Sequence, residues 1–149
     1  MIRVETLPDP TKAAHSTASF LNKTLAGLEE KPVFLGISGG SALQVLEDLN
    51  LSLFEQVTVG FLDERISSNP GDRNWNAVQS TDFYEFAKMS SIRFLPVRQR
   101  ATPEESAREY NENLHTWFAE HSQAVLVLLL GIGPDGHTAG IMPFPENPK

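Results

Sequence analysis

Cysteine is absent from the 149 residues, which excludes disulfides, thiolate metal sites and cysteine nucleophiles together and fits a reducing compartment. A lysine- or arginine-rich block is missing too. Twelve basic residues face 19 acidic ones for a net charge of −7, so nucleic acid and anionic membrane are not expected partners. An anionic small molecule remains compatible, provided a few arginines and oriented backbone N–H groups meet its charge locally. No apolar run approaches the roughly 20 residues that span a bilayer. The start, Met1-Ile2-Arg3-Val4-Glu5, has no long apolar stretch behind a basic end; no secretory signal is legible, and a cytoplasmic protein is expected. There is no internal repeat, and the length suits one domain, residues 1–149, with a sizeable core.

What is present alternates. Residues 2–7 read as a short extended piece. Pro8-Asp9-Pro10-Thr11 then supplies a turn and a helix start, and Ala14, Ala18, Leu21, Leu25 and Leu28 form one apolar stripe. The run Val33-Phe34-Leu35-Gly36-Ile37 reads as a buried strand entering Ser38-Gly39-Gly40-Ser41, with Ser41 as the N-cap of the next helix. Val57-Thr58-Val59-Gly60-Phe61-Leu62 is a second strand. A helix is expected over residues 81–88 with Phe83, Phe86 and Ala87 inward, then a strand over 92–97. The capping box Thr102-Pro103-Glu104-Glu105 opens a helix whose apolar stripe is Ala107, Tyr110, Leu114, Trp117 and Phe118. Residues 124–130 are continuously apolar, the pattern of a central strand covered on both faces. The alternation predicts a three-layer, mostly parallel, Rossmann-like α/β sheet. Residues 141–149 carry three prolines and no expected regular structure.

Three strand ends carry chemistry. Ser38-Gly39-Gly40-Ser41 between a strand and a helix aims backbone N–H groups at one point, as an anion site does, although two glycines also serve simply to let strand and helix pack. Asp63-Glu64-Arg65 follows the second strand and opens a long loop of turn-forming residues, where a surface ion-pair cluster is the plainer alternative. Gly131-Ile132-Gly133-Pro134-Asp135-Gly136-His137 follows the last strand; Pro-Asp-Gly alone is an ordinary turn, but His137 is a base near neutral pH. Because parallel strands all end on one edge of the sheet, the three loops are expected to converge. Their residues are complementary: donors and Arg65 for an anion, carboxylates for protons or sugar hydroxyls, an imidazole for proton transfer.

In order and spacing, Ile37-Ser38-Gly39-Gly40-Ser41, Phe61-Leu62-Asp63-Glu64-Arg65 with Asp72-x-Asn74, and Leu130-Gly131-Ile132-Gly133-Pro134-Asp135-Gly136-His137-Thr138-Ala139 resemble the signature segments of the 6-phosphogluconolactonases. Those enzymes belong with the glucosamine-6-phosphate deaminases and related sugar-phosphate isomerases. Asp-Glu-Arg and Gly-His-Thr-Ala look like the lactonase branch. The resemblance implies hydrolysis of 6-phosphogluconolactone to 6-phosphogluconate in the pentose phosphate pathway, without metal or organic cofactor. His137 is then the base toward water, with Asp135 or Asp63 orienting it or a sugar hydroxyl. Ser38, Gly39, Gly40, Ser41, Glu64, Arg65, Arg73, Asn74 and Gly133 form the expected substrate and phosphate set.

The chain departs from that pattern in places. Ser41-Ala42-Leu43 replaces the usual Ser-Thr-Pro, and Arg73 stands where a serine is usual, either as an extra phosphate contact or as a side chain that only points into solvent. Family members also continue with further strands and helices bearing basic residues. The expectation is therefore a C-terminally shortened relative, natural or a fragment, with an uncovered sheet edge prone to self-association. Two rivals remain: an aminosugar-phosphate deaminase or isomerase, with Asp63 abstracting a proton, and a non-catalytic sugar-phosphate-binding or partner module.

Overall fold

The computed structural model describes residues 2, 4–28, 30–90 and 92–143. The part of the proline-containing tail over residues 144–149, and Arg3 of the expected extended piece, lie outside them; the rest of that piece forms no strand. Four strands, β1 (Val33–Ile37), β2 (Val57–Phe61), β3 (Arg93–Leu95) and β4 (Val125–Leu129), make one parallel sheet in the order β3-β2-β1-β4. Val33 is in register with both Val57 and Val125, and Thr58 with Arg93. Chain order runs outward from β1 to β3, then jumps to the other side of β1. The direction of winding thus switches between β1 and β4, where a crevice opens at the strands' carboxyl ends.

One face of the sheet is well covered. Helix α1 (Pro10–Ala26) starts at Asp9, whose side chain accepts from the Lys12 N–H, and turns Ala14, Ala18, Leu21 and Leu25 inward. Its stripe joins Val33, Leu35, Ile37, Val57 and Val59 in the core. A 3-10 helix over Gly40–Asp48 adds Ala42, Val45 and Leu46. Two short helices, α2 (Asn74–Gln79) and α3 (Asp82–Met89), complete the layer. Aromatic edges lock them to β2 and β3: Trp75 packs on Phe61, Tyr84 and Phe94, and Phe83 on Phe54 and Phe94.

Among the described residues the other face holds one helix, α4 (Pro103–Glu120), capped by Thr102. Trp117 packs edge-on against Phe34, and its Nε1 donates to Thr58 Oγ1 at 3.1 Å. The layers are therefore three, helix on sheet on helix, as expected for the fold class. A helix is about 10 Å wide and strands are about 4.8 Å apart, so one helix covers about two strands. Seated over β1 and β2, α4 leaves the same face of β4 open: Leu126, Leu128 and Leu130 are 53%, 46% and 49% exposed. The expectation of a central strand covered on both faces is corrected; among the described residues β4 pairs with β1 alone and lies at the edge.

Smaller corrections follow from local geometry. Gly39, not Ser41, occupies the N-cap position, and no side chain caps that 3-10 helix. Phe86 is exposed because the eight-residue α3 buries only Phe83 and Ala87. In α4 the buried stripe begins at Ser106 instead of Ala107, since the Ser106 hydroxyl donates to Thr102 O and accepts the Arg100 N–H; Phe118 is 38% exposed. Helix α2 was not foreseen.

Candidate active site

The loops after β1, β2 and β4 surround one open cavity of about 560 Å³. Ser38, Gly39, Gly40 and Ser41 form one wall, Asp63, Glu64, Arg65 and Asn74 a second, and Gly133 and His137 a third. Gly131, Ile132, Pro134, Ala139, Gly140 and Met142 also line it without being in the expected set; the first three belong to the third motif and the others follow it closely.

The first wall is stitched to the third. Ser38 is buried, and its hydroxyl donates to Leu129 O (3.3 Å) and accepts from Gly131 N (2.8 Å). The hydroxyl thus joins the ends of β1 and β4, and its bonding capacity is largely used inside the protein. Gly40 turns the chain at φ 66°, and its added Cβ would meet nothing within 4 Å. The helix that follows leaves its first N–H groups without partners along its own backbone, at the cavity wall. Ala42, in place of the family's threonine, is buried beside Gly131.

In the second wall, Asn74 is the keystone. It is buried; its Nδ2 donates to Asp63 O (3.0 Å) and Asp63 Oδ2 (3.2 Å). Its Oδ1 lies against Gly39, where an added Cβ would come within 2.0 Å. The remaining Asp63 oxygen, Oδ1, is buried with no hydrogen-bond partner among the described residues. Glu64 lies at the wall, but its oxygens accept the N–H groups of Arg65 (2.7 Å), Asn74 (2.6 Å) and Trp75 (2.8 Å). Arg65 is exposed, held by one bond from Nη1 to Asp72 O at 3.3 Å. Arg73 is not brought to the cavity: its Nε donates to Ser67 O at 2.8 Å, and it borders a separate recess with Trp75, Asn76 and Arg98.

Two tight turns build the third wall. Gly133 N donates to His137 O at 2.8 Å and Gly136 N to Gly133 O at 2.9 Å, with Gly136 at φ 87°. Thr138 Oγ1 ties the loop back to Gly131 O at 2.8 Å. The imidazole lies over Gly133, where an added Cβ would reach 2.2 Å from His137 Cε1. His137 Nδ1 bonds to Asp135 Oδ1, which also accepts the His137 N–H. That bond holds the Asp135 carboxyl below its usual range. In the neutral ring it places the hydrogen on Nδ1 and leaves Nε2 as the basic nitrogen. Asp135 itself does not line the cavity; it reaches the site through His137.

Tyr110, expected only as part of an apolar stripe, has a structural bearing on the second wall. Its hydroxyl donates to Phe61 O and accepts from Phe61 N, both at 2.8 Å. Phe61 lies one residue past the register of β3, where Pro96 has no N–H to offer. The phenol stands in for the strand partner and sets the exit of β2 toward Asp63; burial pushes its pKa up to about 12. The legible signal was a proline closing a neighbouring strand. Among the described residues, no group of three or more His, Asp or Glu is placed to hold a metal ion.

A switch-point crevice in a parallel α/β sheet, with an imidazole, a carboxylate and a guanidinium around it, brings together the residue types that hold a small polar ligand and move a proton. Residues 8–149 match the family of glucosamine-6-phosphate isomerases and 6-phosphogluconolactonases, and the chain belongs to that family. It is 28% identical over 123 residues to the 6-phosphogluconolactonase of Homo sapiens, spanning 76% of this chain and 47% of that protein. The Rattus norvegicus enzyme is 29% identical over 118 residues, 73% of this chain and 46% of that protein. The chain therefore spans about half the length of these curated relatives. The fold is also that of solved structures: a 6-phosphogluconolactonase from Plasmodium vivax (TM-score 0.74, 19% identity, 91% of this chain and 49% of that one) and one from Thermotoga maritima (TM-score 0.67, 23% identity, 91% and 62%).

Proposed function

We propose that this chain provides a lactone-hydrolysing site of the 6-phosphogluconolactonase type. The observation that carries the reading is the His137 imidazole, held at Nδ1 by Asp135, sharing one cavity with Asp63, Arg65 and the Gly39-Gly40 turn. Water attacks the lactone carbonyl while His137 Nε2 takes its proton. The ring ester C–O bond then breaks, and the departing ring oxygen receives a proton, giving 6-phosphogluconate. A positioned base of this kind contributes about 10²–10⁴ in rate. Arg65 and the free N–H groups at the start of the Gly40–Asp48 helix meet the phosphate, anchoring a remote group so that the ring is oriented. Asp63, at the cavity wall, accepts a hydrogen bond from a sugar hydroxyl. No metal or organic cofactor enters the scheme, and a cytoplasmic setting belongs to the same reading, supported by a composition that needs no oxidising compartment.

Turnover of 6-phosphogluconolactone, with spontaneous hydrolysis subtracted, tests the reading. His137→Ala should lower it by about 10²–10⁴, and unchanged turnover would remove His137 from its role. One observation favours a second reading: the carboxylate of Asp63, lining the same cavity as His137, also suits abstraction of a substrate proton. In that case aminosugar phosphates, not the lactone, would be consumed, and competition between the two substrates separates the readings.

A further inference from the structure

Glu64 has the residue type and position of a ligand-binding group, yet its carboxylate is already engaged. Both oxygens accept backbone N–H groups, Oε1 from Arg65 and Asn74 and Oε2 from Trp75. Asn74 and Trp75 begin α2, whose own N-cap position, Arg73, offers no side-chain bond. Glu64 thus caps α2 from ten residues upstream and closes the intervening loop. The loop is braced from within: Ser67 Oγ donates to Asp72 Oδ2 at 2.8 Å, and Arg73 Nε donates to Ser67 O. Trp75 is seated against Phe61, Tyr84 and Phe94, so the start of α2 is fixed on its other side as well.

What this fixes is the Asn74 amide. Its Nδ2 engages the carbonyl and one carboxylate oxygen of Asp63, while its body fills the space above Gly39. Asp63, at the cavity wall, consequently has its carbonyl and Oδ2 tied to Asn74, while Oδ1 is buried with no partner among the described residues. We propose that Glu64 is a positioning residue: by seating the backbone of Asn74 it fixes the orientation of the Asp63 carboxylate at the cavity wall, and it makes no ligand contact itself. The inference deepens the lactonase reading and rests on it for its consequence in turnover. The relay itself is a property of the free protein.

Glu64→Gln keeps the size of the side chain but turns one acceptor into a donor facing a backbone N–H. In the full chain, kcat for lactone hydrolysis should fall about tenfold, as small misplacements do, with KM little changed. In an Asp63→Asn background the same substitution should produce no further fall, because coupled residues are non-additive. Asn74→Ala leaves the backbone bonds to Glu64 in place and removes the link to Asp63 together with the packing on Gly39, so it should lose at least as much kcat; it also serves if Glu64→Gln does not fold. A severalfold rise in KM at unchanged kcat would instead show Glu64 touching the ligand and overturn the proposal. Losses that multiply with Asp63→Asn, or an Asn74→Ala variant with full kcat, would do the same. Should the unsubstituted chain show no lactone turnover, the lactonase reading fails separately. The relay is then judged in ligand-free protein by nuclear magnetic resonance: Glu64→Gln should shift the Asn74 and Trp75 amide protons upfield and displace the Asn74 side-chain amide signals. Unmoved side-chain signals would refute it.

Discussion

His137 lies over a position where a side chain has no room, and this makes Gly133 a sharp probe of the imidazole's placement. Gly133→Ala puts a methyl where the ring now is, 2.2 Å from Cε1 and 2.4 Å from Nδ1. The ring must swing off and lose Asp135. Lactone turnover should fall at least about tenfold, while the affinity for 6-phosphogluconate, measured by calorimetry, stays within about twofold because the phosphate contacts lie elsewhere. Asp135 gives a pH signature. Its carboxyl is held below its unfolded value chiefly by the hydrogen bond from His137, so its contribution to stability is complete above the ordinary carboxyl range. It is lost as pH falls through the lowered value. Thermal unfolding followed between about pH 6 and pH 2 should show less acid destabilisation in Asp135→Asn than in the parent; equal slopes would contradict the pairing. At this scale His137 and Asp135 were legible because a two-residue spacing in a glycine-bounded turn leaves few arrangements. Ser38, Glu64 and Arg73 belong to the expected substrate and phosphate set. Their side chains bond to Leu129 and Gly131, to the start of α2, and to Ser67, and of the three Arg73 alone is away from the cavity. Direction of that kind depends on how a loop closes, which periodicity does not carry.

Among the elements, α4 contributes more than its apolar face suggested. Tyr110→Phe removes one hydroxyl that serves two backbone groups of Phe61. It should destabilise the fold by about 1–3 kcal/mol, the usual consequence of leaving a partly buried polar group unsatisfied. Denaturant unfolding measures it, and a change under about 0.5 kcal/mol would mean that water replaces the phenol. The strands were readable because runs such as Val33–Ile37 and Val57–Phe61 are buried on every residue. Helix α1 was readable because Asp9 and Pro10 mark its start and one stripe marks its face. Helix α2 escaped notice because six residues show barely two turns, and its cap lies in Glu64, outside any local window. Ser106 escaped because a hydrogen-bonded serine packs as closely as an alanine while reading as polar.

For the molecule as a whole, the sheet is covered unequally. Leu126, Leu128 and Leu130 form an open row on the face that α4 half covers, with Phe118 exposed nearby in sequence order on the helix. Apolar strips of this kind favour association. Light scattering should therefore give an apparent mass that rises with concentration, and Leu126→Lys combined with Leu130→Lys should suppress the rise. A sharp monomer at high concentration in the unsubstituted chain would count against this. The apolar run over residues 124–130 predicted the strand correctly and its environment wrongly. Sequence reports what a strand can bury; the number of helices lying over it is a separate matter.

Three loops, far apart in sequence, meet at one cavity and should meet at one ligand. Titration of the isotopically labelled chain with 6-phosphogluconate, followed by amide chemical shifts, tests this most directly. Signals from Gly40, Arg65 and His137 should move together along one saturation curve, and Arg65→Ala should weaken that curve for all three. Movement confined to a single loop, or separate curves for the three, would contradict a shared site.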